Sequence, residues 1–380
     1  MNVTANRVEL LAAAKRAASI ASPSAPLDEL RGTLMMADSS AGKLTLSATN
    51  LEVSLEQKVA CTCGDDDAFV INAGLLEDML AQLGGETVEF QRKAGSSQVS
   101  VRSGQAGYLV SVMERATFPR VEIPFPEDLV VVSGIPSMVK RSAFATGKSS
   151  EPSLLKCVNL RFTKEGLRAV GGDGFCLVYA KGDNSCSGNI DLMVPATSLL
   201  KLARLCEDKQ EYRVGTDGKS IIFLREDFAY SARLVDGTYI NTDQVLGSVV
   251  NCFTVLTDIP ELKAALNAAI AIDQAETIKL TFTGNQIKFQ CQSAEWNAST
   301  TLMVVPLTGT PQGEYCFGIR QLSSCLHSLS GTVTLGIAQG GMLTLATNDA
   351  FYMQTGLRPQ AAQAEKPKKG KPKASAEKAA

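Results

Sequence analysis

Six stretches of the chain repeat apolar residues at the i, i+3, i+4, i+7 spacing that gathers them on one face of a helix. They predict helices over Arg7–Ile20, Leu75–Leu83, Pro136–Thr146, Ala196–Cys206, Pro260–Ile272 and Arg320–Leu329. In the second, Leu76, Met79, Leu80 and Leu83 share a face. Leu262, Ala265, Leu266 and Ala269 do so in the fifth, and Leu322, Cys325, Leu326 and Leu329 in the sixth. Between helices the period drops to two. Lys43–Leu55, Val99–Val112, Leu160–Tyr179, Tyr212–Leu224, Ile278–Cys291 and Thr332–Leu345 alternate apolar and polar positions, as half-buried antiparallel strands do. Turn residues punctuate them at Gly42, Lys164–Gly166, Asp217–Gly218, Gly284–Asn285 and Gly340–Gly341.

The helix starts recur every ~60–68 residues, which marks a repeated supersecondary block. Each block is one helix and about four strands, and two blocks make a domain of ordinary size. The expected fold is therefore α+β, with three tandem domains, each two helices packed on antiparallel sheets. Prolines near Pro124–Asp128 and the stretch Gly247–Cys252 set the boundaries at 1–126, 127–249 and 250–358. Residues 359–380 turn to Lys, Pro and Ala, a composition expected to be a disordered tail.

Charge adds a second signal. The chain of 380 residues has net charge −2, but the segment Glu365–Ala380 carries six lysines and two glutamates. Removing them from the 37 basic and 39 acidic residues leaves a body at −6. Such a body has no overall attraction for nucleic acid, so any DNA contact needs a local basic surface. The helix faces turned away from the apolar stripes offer one: Lys15, Arg16, Lys140, Arg141, Lys201, Arg204, Lys263 and Arg320. Glu77 and Asp78 interrupt it on the second helix. Solvated faces carry charge as well, so only the repeat gives this pattern a shared meaning.

Candidate chemistry is sparse. His327 is the single histidine, so no Ser/His/Asp or Cys/His nucleophilic set can be assembled. No phosphate loop ending in Gly-Lys-Ser/Thr occurs, and no acidic run has calcium-loop spacing. The ten cysteines are scattered, and only Cys61 and Cys63 stand close, which reads as reduced thiols without metal or disulfide. Gly171-Gly172-Asp173-Gly174-Phe175 imitates a nucleotide-cyclase signature but sits between two alternating strands. No long apolar span and no signal-like N-terminus appear, so the expected compartment is the cytoplasm. A non-catalytic protein without cofactors is expected.

Specific motifs then meet the repeat. Leu46-Ser47-Ala48-Thr49-Asn50-Leu51-Glu52-Val53, Val101-Arg102-Ser103-Gly104 followed by Phe118-Pro119, and Phe144-Ala145-Thr146 followed by Leu155-Lys156-Cys157-Val158-Asn159-Leu160 occur in that order. Asp173-Gly174 with Leu177, and Leu234-Val235-Asp236-Gly237-Thr238-Tyr239, complete the series. In this order and spacing the chain resembles the bacterial beta sliding clamps of DNA polymerase III, from Met1 to Arg358. The resemblance implies a head-to-tail homodimeric ring around double-stranded DNA, contacted without sequence reading, with helices lining the hole. It implies polymerase and clamp-loader partners bound through short peptides. Carried over by motif, their cleft would use Leu155, Gly172, Gly174, Leu177, Ile240, Val245, Met342, Met353 and Leu357. The ring interface would use Tyr108 and Val110 on one edge and Ile270 and Ala271 opposite.

The chain also departs from that pattern. Phe175-Cys176 stands where the family has His-Arg, Ile240 where it has Pro, and Gln244 where an Arg is usual. Thr355-Gly356-Leu357-Arg358 replaces its C-terminal motif, and Ser24 replaces an Arg that meets DNA. These changes leave two alternatives beside the main reading: a paralogue or mobile-element clamp with altered partners, acting as a binding scaffold, or a clamp-like protein that no longer closes on DNA.

Overall fold

The computed structural model describes residues 2–119, 123–148, 153–182, 190–270, 276–292 and 296–357. Seven helices occur among them: α1 (Arg7–Ile20), α2 (Ala73–Gln82), α3 (Ile135–Ser142), α4 (Ala196–Leu205), α5 (Thr242–Gly247), α6 (Ile259–Ile270) and α7 (Ile319–Ser328). All but α5 match the six expected helices, with ends shifted by a few residues. Asn6 starts α1 by accepting hydrogen bonds from the N–H groups of Val8 and Glu9, and Asn72 caps α2 through the Leu75 N–H. Helix α3 ends early: Ala143–Ala145 tightens into a 3-10 turn instead of continuing to Thr146. There Ser142 Oγ donates back to the Met138 carbonyl, and Gly171 approaches so closely that a Cβ would lie 2.3 Å from the Ser142 carbonyl oxygen. The six-residue α5 is too short to show helical periodicity. Residues 271 and 272 of the fifth expected helix, and the tail, lie outside the described residues.

All strand pairs are antiparallel, in three sheets among the described residues. In the largest, Phe228–Arg233 pairs with Val53–Cys63, which passes on to Asn2–Asn6, Thr87–Gln91, Gln98–Ser103 and Ala106–Ser111. In the second, Cys176–Lys181 pairs with Ala350–Gln354, so the middle of the chain hydrogen-bonds to its end. The third holds Asn297–Met303, Gln286–Gln292, Thr277–Thr283 and Gln312–Gly318 in that order.

The helices stand on one side of three large apolar clusters. Leu10, Ala13 and Ala14 of α1 with Leu76, Met79 and Leu80 of α2 fill the first. Met138 and Val139 of α3 with Leu199 and Leu202 of α4 fill the second, joined by Ala17 and Ile20 from the end of α1. Leu262 and Leu266 of α6 with Leu322 and Leu326 of α7 fill the third. Within each pair the helices touch, α1 also touches α4, and α3 touches α7. The spatial order is therefore α2-α1-α4-α3-α7-α6, one unbroken row backed by sheet.

Candidate functional site

The exposed face of the helix row carries Lys15, Lys140, Arg204 and Arg320, all open to solvent. The other four expected cations are half-buried. Arg16 Nη1 donates to Gln57 Oε1 at 2.7 Å. Arg141 pairs with Asp349, and Lys263 Nζ donates to the Leu329 carbonyl at 3.3 Å. Partial burial pushes the Lys201 ammonium below its usual range, with Glu52 acting against it. Glu9, Asp78 and Glu261 share the exposed face, so the row is only weakly basic. His327, also exposed on α7, directs Nδ1 to the Ser323 carbonyl at 2.7 Å. Among the described residues no group of three or more His, Cys, Asp or Glu could hold a metal, and no helix is long and apolar enough to cross a membrane.

The cleft residues fall into two groups. Leu177 lies opposite Met353, and Met353 opposite Thr344, so their side chains share one face of the sheet. Gly172 is opposite Leu177 across the hairpin whose turn is Asp173–Phe175. Asp173 Oδ1 accepts from the N–H groups of Phe175 and Cys176, both at 2.8 Å, and Gly174 takes φ +88°, a conformation that favours glycine. The Gly-Gly-Asp-Gly-Phe sequence is thus a hairpin turn. The Phe175 carbonyl accepts from Thr355 N at 2.8 Å and Thr355 Oγ1 at 3.1 Å. The Leu357 N–H donates to the Cys316 carbonyl at 2.7 Å. Gly356 packs against Gly341, which brings Leu357 near Met342.

The other three expected residues, Leu155, Ile240 and Val245, lie on separate segments. Leu155 is half-buried in the 3-10 turn Ser153–Lys156. Ile240 lines a cavity of about 670 Å³ with Tyr239, Met193, Arg161, Asp191, Asp236 and Asp243. Arg161 holds Asp243 of α5 at 3.2 Å, and Arg168 holds it at 3.7 Å, which fixes the helix that carries Val245. Leu155, Val245, Leu177, Met342, Met353 and Leu357 are not among the residues lining that cavity.

Phe175, expected as a departure from the family pattern but not counted among the cleft residues, is 65% exposed beside the buried Leu177. Its neighbour Cys176 faces the opposite way, into the third core, with burial raising its thiol above the usual range. Of the pair that replaces His-Arg, one side chain is therefore an exposed apolar group and the other is core.

At the sheet ends, Ala106–Ser111 is an edge strand. Tyr108 is 39% and Leu109 68% exposed, whereas Val110 is buried in its own core. Asn297–Met303 is another edge, missed because its side chains are mostly small and polar. Ile270 is half-buried at the end of α6, and Ala271 lies outside the described residues.

Comparison with known proteins places this geometry in context. Family models for the DNA polymerase III beta subunit match the chain, the N-terminal domain over residues 1–122 and the central domain over 131–241. The beta sliding clamp of Synechococcus elongatus is 24% identical over 316 residues, covering 80% of this chain and 83% of the relative. That of Pseudomonas putida is 24% identical over 308 residues, covering 78% and 82%. The crystal structure of the DNA polymerase III subunit beta from Pseudomonas aeruginosa superposes with TM-score 0.84 at 20% identity, over 94% of this chain and 100% of that one. A sliding clamp from Bacillus subtilis gives TM-score 0.86 at 15% identity, over 94% and 99%.

Proposed function

The chain belongs to the DNA polymerase III beta-subunit family, the sliding clamps, and on that footing we propose that two copies close head to tail around duplex DNA and hold a polymerase on it. The observation that carries this reading is the unbroken row α2-α1-α4-α3-α7-α6, backed throughout by sheet. A row of helices backed by sheet can close on a second copy into a ring with the helices inside. Lys15, Lys140, Arg204 and Arg320 would meet phosphates there, with Arg16, Arg141, Lys201 and Lys263 adding to the field. Such contacts carry no base information, so every register costs about the same and the ring slides. Topology rather than affinity retains the DNA, and the protein's role is mechanical rather than catalytic.

Ring closure would use the two edge strands. An exposed edge invites pairing, and Ala106–Ser111 with Tyr108 and Leu109 on one copy complements Asn297–Met303 on the next. Val110 and Ile270 would support that joint, and Ala271, also expected there, lies outside the described residues. Head-to-tail contacts close only when the rotation per copy fits. The domain limits 1–126, 127–249 and 250–358 are part of this proposal, each unit supplying one pair of touching helices to the row. Light scattering tests closure: a mass near twice 40.3 kDa is expected, and a monomer at micromolar concentration would overturn it.

Partner peptides from a polymerase or clamp loader would lie along Phe175, Leu177, Met353, Met342 and Leu357, with Leu155, Ile240 and Val245 also taking part. A groove for a few apolar side chains, with polar groups fixing direction, is what such peptides need. The cytoplasm is the compartment consistent with these partners. One observation favours altered partner specificity: Phe175 is exposed and Cys176 buried where the resemblance implies a polar His-Arg pair. Binding of a Gln-Leu-x-Leu-Phe peptide tests this, since tight binding would argue for the ordinary partners.

A further inference from the structure

Where Val53–Cys63 meets Phe228–Arg233, the sheet face turned away from the helices changes character along one row. Val70, Leu34, Ser47, Glu56 and Ala229 lie directly opposite one another across successive strands, so their side chains share a face. Their neighbours Met35, Leu46 and Leu55 point the other way, into the helix-backed cores. Phe118 packs on Leu34 and Val70 at the apolar end of the row. Beside it a cavity of about 640 Å³ opens over Ser47 and Glu56, walled by Met36, Phe118 and Pro119.

The polar groups of this cavity are poorly served by the protein. Ser47 is 1% exposed, and its Oγ has no hydrogen-bond partner. A buried hydroxyl left in that state is costly, and native proteins keep few of them. Glu56, opposite Ser47 and half-buried, has burial working against its charge and Lys58 in its favour. Glu114, also at the cavity, is held by Arg92 at 2.7 Å, and the lining cation Arg115 is exposed to solvent. The inner end therefore offers acceptors and negative charge between apolar walls. We propose that this cavity binds an ammonium group carried on an apolar body, with Ser47 Oγ and the Glu56 carboxylate accepting its hydrogens. A carboxylate ligand would meet Glu56 as a like charge, and a purely apolar one would leave both groups unserved. An ammonium has three donors and serves both. Met36, half-buried and diagonal to Ser47 on the neighbouring strand, has an adaptable thioether that can yield to the ligand. The site lies apart from the helix row and from the Leu177–Met353 face, and it does not rest on the ring reading.

The test titrates the full-length protein calorimetrically with phenylpropylamine, phenylpropanol and phenylpropionate, which share an apolar body and differ in the head group. The amine is expected to bind saturably with a Kd of about 1 mM, the range open to so small a ligand. The alcohol should bind ~10-fold more weakly, because it lacks the charge-assisted hydrogen bonds, and the acid should not bind. Glu56→Gln should weaken the amine by ~10-fold and Ser47→Ala by a few-fold. Ser47→Ala should melt no lower than the wild type, since it removes a hydroxyl without a partner, whereas a serine that serves the fold would lower the melting temperature. Equal binding of amine and acid overturns the proposal. So does the absence of saturable amine binding, an amine affinity unchanged in either variant, or a destabilised Ser47→Ala protein.

Discussion

The sheets of this molecule are joined at two places by the same backbone device, and the two joints differ on one face only. Five residue pairs link Val53–Gln57 to Phe228–Ala232, and five link Cys176–Ala180 to Ala350–Gln354. On the inner face both joints are core and both centre on a fully buried tyrosine. Tyr230 donates its hydroxyl to the Ser198 carbonyl at 2.7 Å, and Tyr352 donates to Gln354 Oε1 at 2.8 Å. On the outer face the first joint presents Ser54, Glu56, Ala229 and Ser231, whereas the second presents Leu177, Tyr179, Phe351 and Met353. Continuity of the sheet needs only the backbone and the inner face. The outer face is free to differ, and at the second joint it is apolar, with Leu177 buried and Tyr179, Phe351 and Met353 half-buried.

The inner faces should behave alike. Tyr230→Ala and Tyr352→Ala each remove a large, fully buried ring, and each is expected to cost about 3–5 kcal/mol in denaturant unfolding. A loss at only one of them would break the equivalence of the joints. The outer faces should diverge. Met353→Ala should weaken a bound partner peptide by ~10-fold or more at unchanged dimer mass, as truncation of an apolar anchor does, while Ser231→Ala at the other joint leaves peptide affinity untouched. Equal effects in calorimetric titration would remove the distinction. Phe175→Ala, at the exposed rim, should cost only a few-fold in the same titration.

The smallest effect concerns Glu56. Burial raises its carboxyl pKa, opposed by Lys58, so its ionised form is disfavoured in the folded state. Stability from this group is full below the unfolded pKa and declines as pH rises through the folded one. Glu56→Gln should therefore raise stability at neutral pH by less than ~1 kcal/mol and flatten that decline. Melting curves from pH 4 to 8 in which wild type and variant run parallel would contradict this.

How much of this could be read from the chain follows from what periodicity measures. Leu76, Met79, Leu80 and Leu83 were assigned to a core face, and each is at most 4% exposed. A helical stripe reports which side is buried, so the row of helices and its cores were legible. It does not report what a long side chain on the other side will find. Arg16 and Arg141 both lie off the stripe, yet one is drawn to Gln57 and the other to Asp349 at the two joints. Those partners are distant in sequence and become neighbours only when the sheets join. The cleft was legible in part for the same reason. Leu177 and Met353 came from motif resemblance, while Phe175 depends on a turn that throws alternate side chains outward and inward. The edge Asn297–Met303 gave almost no signal, because small polar residues alternate weakly.

Retention on DNA of defined topology tests the central claim most directly. The protein would be loaded on nicked circular duplex, passed through gel filtration at moderate salt, and the circle then cut once. The account predicts that the protein travels with the circle and is released when it is cut, because closure and not affinity holds it. Equal loss from circular and linear duplex, or equal retention on both at high salt, would contradict the ring.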